Sequence, residues 1–147
     1  DIYTASQNIK KFGTGIFPGH WLEMAKSKLY NGDKSSNWTL HRIFRDLLSA
    51  FTPICPFFTH YLSTVLYGHS SVDVRGFPNL PEDCNLDRFG NLDELTEQLI
   101  SFNSMVWKLK KESSLSLKSP INDVEIPSDL EIFSTILQEM HNINHTN

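Results

Sequence analysis

Two apolar helical faces meet at a proline corner between Leu40 and Tyr67, and that feature narrows the folds open to this chain more than any other. Leu40, Ile43, Phe44, Leu47, Leu48 and Phe51 recur at the spacing of one buried helix face. Pro53 ends that helix, because its ring fixes φ, removes a donor and disfavours helix in Thr52 before it. Pro56 suits the first turn of a second helix, where a missing N–H costs nothing. Phe57, Phe58, Tyr61, Leu62, Val65 and Leu66 form a broad stripe on that helix, which the sequence predicts to be covered from more than one side. The expected fold is mainly α, a helical bundle.

The remaining segments fit that frame. Residues 2–12 read as a helix with Ile2, Ala5, Ile9 and Phe12 inward. Gly13, Gly15, Pro18 and Gly19 predict a kink or break before the helical pattern resumes over 17–30. Ser36 or Asn37 is the expected cap of the helix containing Leu40. Residues 71–78 read as extended chain, leading into an acidic loop that runs to Asn91. Leu92, Leu95, Leu99, Phe102, Val106 and Leu109 then step alternately by three and four, the seam of a helix packed along a neighbour. A short strand within 121–127 and a last helix capped by Ser128 or Asp129 complete a small C-terminal extension. The expected division is a helical bundle over 1–116 and a smaller subdomain over 117–147.

Charge and cysteine content exclude some classes. A chain of 147 residues has room for a real core, and its net charge of −4 argues against a uniformly basic nucleic-acid binder. The average conceals segregation. Lys10, Lys11, Lys26, Lys28, Lys34, Arg42 and Arg45 lie in the first 48 residues against four acids. Lys108, Lys110, Lys111 and Lys118 form a second cluster. Cys55 and Cys84 fit a reduced cytoplasmic protein better than a disulfide framework, and no apolar run approaches the length of a membrane span. The absence of a first methionine suggests a piece of something longer.

No catalytic constellation emerges. His20 and Lys26-Ser27-Lys28 loosely resemble nucleotide-binding signatures, but they sit on one helical stretch without parallel strands nearby. His141 and His145 have the i, i+4 spacing of metal ligands without a third ligand. No catalytic or metal-binding residue is expected.

Four segments carry a resemblance. FPGHWLEMAKSKLYNG (17–32), TLHRIFRDLLSAFTPICPFFTHYLSTVLYG (39–68), SVDVRGFPNLPE (71–82) and MVWKLKKESSLSLKSPINDVEI (105–126) resemble, in the right order, motifs of the anticodon-binding domain of archaeal-type valyl-tRNA synthetases, in the class I Val/Ile/Leu group. Asp73, Leu66 and the stretch around Trp107 depart from the family's His, Trp and Arg. The resemblance implies a bundle that grips the anticodon arm of a tRNA, a valine tRNA on these motifs, while other domains of the same synthetase carry out aminoacylation with ATP and Mg. No cofactor is expected in this piece itself. Two alternatives stay open: the same domain of an isoleucyl- or leucyl-type enzyme, and a helical protein–protein module without tRNA binding. Within that frame Lys10, Lys11, Lys26, Lys28, Arg42, Arg45, Lys108, Lys110 and Lys111 are the candidate phosphate contacts. Trp21, with Trp38 and Trp107, is a candidate for stacking on an unpaired base.

Overall fold

In the computed structural model the described residues are 1–68 and 90–144. The segment 71–89, expected to be extended chain and acidic loop, lies outside them. The chain divides into two compact units, Asp1–Leu22 with Lys28–Cys84, and Glu23–Ser27 with Asn85–Asn147.

The first unit is built from consecutive helices. Helix α1 (Ile2–Lys11) is capped by Asp1, whose side chain accepts from the Tyr3 N–H. Of the kink or break expected after it, no break occurs. Phe12–Trp21 continues as a π-helical stretch into α2 (Leu22–Tyr30), with the Leu22 N–H reaching the Phe17 carbonyl five residues back. Pro18 has no N–H to place in a tighter ladder, and Gly13 packs against a neighbour while Gly15 and Gly19 face open space. A Cβ on Gly13 would stand 3.0 Å from the Phe51 ring and 3.4 Å from Leu47, so the stretch lies close against the next helix. The inward face expected of α1 is only partly buried: Ile2 is exposed and Ile9 half-buried.

Helix α3 (Lys34–Phe51) follows the turn at Gly32, which takes the left-handed conformation. Its cap is Asp33, accepting from the Ser36 N–H at 2.7 Å, and not Ser36 or Asn37. That contact and the nearby Lys28 hold the Asp33 carboxyl below its usual range. The proline corner forms as expected, with α3 ending at Phe51 and Pro56 opening α4 (Pro56–Tyr67). The covering of α4 differs from expectation. Its fully buried residues are the small Thr59 and Ser63, whereas Phe57 is 91% exposed and Phe58, Tyr61 and Val65 are exposed too. Thr59 turns inward because its hydroxyl bonds back to the Cys55 and Pro56 carbonyls and meets the Thr52 hydroxyl.

The second unit is organised by α5 (Leu92–Glu112), capped by Asn91. Phe102 and Val106 share one core with Val124, Leu130, Leu137 and Ile143, which is why α5 groups with the residues after 117. Strands β1 (Ile121–Asn122) and β2 (Ile143–Asn144) pair in parallel, Ile121 opposite Ile143. Between them a 3₁₀ turn (Ser128–Phe133) runs into α6 (Ser134–His141). Neither Ser128 nor Asp129 caps that helix, because both lie in the 3₁₀ turn and Phe133 stands at the helix start; Asp129 accepts from Gln98 and Ser128 bonds Asp129.

Candidate nucleic-acid interface

Lys34, Trp38, His41, Arg42 and Arg45 fall at intervals of three and four on α3, so they line one side of it. Across from them Leu66 and Tyr67 end α4, and the two helices enclose an open cleft of about 730 Å³. Its floor is fixed by Tyr67. The Arg45 guanidinium lies 4.4 Å above the Tyr67 ring centre, and His41 meets the same ring edge-on with its Nδ1 3.1 Å from the hydroxyl. Arg42 is steadied by Asp46 at 2.9 Å. Trp38 projects into solvent at the mouth, 63% exposed. Cations held in fixed orientation beside an exposed indole suit an anionic, aromatic ligand, and among the described residues no carboxylate lines the cleft.

The other expected contacts are distributed elsewhere. Lys10 and Lys11 lie exposed at the end of α1. Lys26 pairs with Glu23 at 2.5 Å, and Lys28 is exposed at the end of α2. Trp21 is half-buried with its ring stacked 5.3 Å from Phe17, so much of its surface serves packing. In the second unit Lys108 and Lys111 flank a groove shared with Trp107, Leu115 and Leu117. Lys108 lies 3.8 Å from Glu112 across solvent.

Lys110 must be removed from the phosphate-binding set. Its side chain is fully buried, and its ammonium donates to the carbonyls of Leu117, Ser119 and His141 at 2.9, 2.7 and 2.6 Å. All three protons are spent inside the fold, the last on the C-terminal carbonyl of α6, where the helix dipole favours a cation. Burial lowers its pKa. Beside it His141 bonds Asn103 at 2.8 Å through Nε2, while its buried Nδ1 has no partner. Burial, reinforced by the Lys110 charge, pushes the His141 pKa down to about 4, which keeps the imidazole neutral. No group of three or more metal-ligating side chains occurs among the described residues, and His145 lies outside them.

Sequence reasoning missed Lys34, His41 and Tyr67 as partners of Arg42 and Arg45. The α3 spacing could have found the first two. Tyr67 is reached only through tertiary packing.

The family described as the anticodon-binding domain of tRNA ligase matches residues 1–126. A valine–tRNA ligase of Nanoarchaeum equitans is 34% identical over 142 residues, covering 94% of this chain and 17% of its own length. One from Aeropyrum pernix is 30% identical over 154 residues, covering 96% of this chain and 18% of its own length. One from Rickettsia akari is 30% identical over 146 residues, with 91% and 17% covered. The chain therefore spans less than a fifth of the relatives it matches. No solved structure matches it.

Proposed function

The chain belongs to the anticodon-binding domain family of tRNA ligases, and on that premise we propose that it holds the anticodon arm of a valine tRNA. The catalytic part of the same ligase would then join valine to that tRNA in the cytoplasm, using ATP and Mg. Valine, and not isoleucine or leucine, is favoured by the relatives' names. The single observation that carries an RNA-binding role is the basic, aromatic cleft of α3 and α4, which lies inside the matched segment.

The chemistry is that of binding and positioning. Lys34 and Arg45 neutralise backbone phosphates, which supply affinity and register without reading sequence. Base identity requires contact with unpaired bases at their faces and edges. His41 is engaged with Tyr67, which fixes the cleft wall beside the cations.

The test is a salt-series titration of valine tRNA with wild type and the Lys34→Glu/Arg45→Glu double variant. Binding on the order of micromolar at low salt is expected, falling steeply as salt rises. The double variant should bind more weakly and with a shallower salt dependence, by roughly two counterions. Equal affinity and equal slope would remove the cleft from the interface.

A further inference from the structure

Resting on the tRNA-binding reading, we infer that the α3–α4 cleft is a single-base pocket in which Trp38 stacks one unpaired base of the anticodon loop. Two observations carry this beyond general phosphate binding. Of the three tryptophans, Trp21 is stacked on Phe17 and Trp107 packs edge-on to His141, so both serve the fold. Trp38 is 63% exposed on the second turn of α3 and contributes little to packing. Trp38 differs from the exposed Phe and Tyr side chains of the described residues in lining the basic cleft, where its open ring face lies within reach of a planar ligand.

The second observation is what surrounds it. Lys34 stands one helical turn before Trp38, and Arg45 lies on the same side of α3, oriented by the Tyr67 ring. A nucleotide offers a π-face and an anionic phosphate a few ångströms apart, which complements an exposed ring between two cations. Asn37, also lining the cleft, brings an amide with both donors and an acceptor for a base edge. A duplex keeps its bases stacked on each other, so only a splayed loop base fits this arrangement.

The experiment uses the 147-residue protein with two RNA hairpins, the anticodon stem-loop of valine tRNA and the same hairpin with abasic loop positions. Trp38→Ala should bind the intact hairpin roughly ten-fold more weakly than wild type and the abasic hairpin equally well. Trp38→Phe should keep most of the affinity while losing part of the tryptophan quenching that the intact hairpin produces. Because the residue is exposed, both variants should keep the wild-type circular dichroism spectrum. Undiminished binding by Trp38→Ala, an equal loss on both hairpins, or unchanged quenching in Trp38→Phe would each overturn the pocket while leaving tRNA binding in place. A wild-type protein that binds neither hairpin would overturn the tRNA reading, and the pocket with it.

Discussion

Lys110 and Leu109 are neighbours whose fates are the reverse of their hydropathy. The alternating seam of α5 can continue from Val106 by three residues to Leu109 or by four to Lys110, and the fold takes the second route. Leu109 is 38% exposed and Lys110 not at all. Hydropathy favours the first route, because nothing local reveals that three carbonyls from 117, 119 and 141 converge where the longer side chain reaches. Lys110→Met keeps the stem and removes the donors, so it should destabilise the protein by about 3 kcal/mol or more, read from urea unfolding. A loss near zero would mean that the ammonium is not the clip described. His141 sets a pH dependence on the same network. Its folded pKa of about 4 lies below the unfolded value, so the unfolded chain takes up the proton first as pH falls. The stability present above pH 6.5 should decline through that window and be lost near pH 4, on the order of 2 kcal/mol after allowing for solvent screening. His141→Gln should flatten this part of the profile; an unchanged slope between pH 7 and 4 would assign the proton elsewhere.

Elements were legible where the chain's own chemistry decides them. Pro53 and Pro56 set the corner between α3 and α4, and the spacing of α5 set its buried face. The π stretch was not legible, because Gly13, Gly15 and Pro18 are breaker signals, whereas the close approach of Gly13 to Phe51 and Leu47 is a tertiary contact that no local pattern reveals. The exposed stripe of α4 misled for a related reason: apolar spacing states which residues share a face, not whether anything covers it. Two alanine variants test the π stretch. Gly15→Ala meets nothing within 4 Å and should stabilise by about 0.5 kcal/mol through helix propensity. Gly13→Ala drives a methyl toward the Phe51 ring and should cost about 1 kcal/mol. Thermal unfolding that ranks the two in the opposite order would contradict the close approach of this stretch to α3.

At the scale of the whole molecule, the family and the helical fold were readable from four ordered motifs, while the site was readable only in part. Arg42 and Arg45 stood out by spacing, but the aromatic floor that orients Arg45 comes from α4. The second basic pair is tested separately. Lys108→Glu/Lys111→Glu should leave the fold intact, since both side chains are exposed, and should weaken all tRNAs alike if this face meets phosphate. No change in affinity would make it an ordinary solvated face. The central claim, that this chain grips the anticodon arm, is tested most directly by hydroxyl-radical footprinting of full-length valine tRNA with saturating protein. Protection confined to the anticodon stem and loop is the predicted result; protection centred on the acceptor arm, or none at saturation, would contradict it.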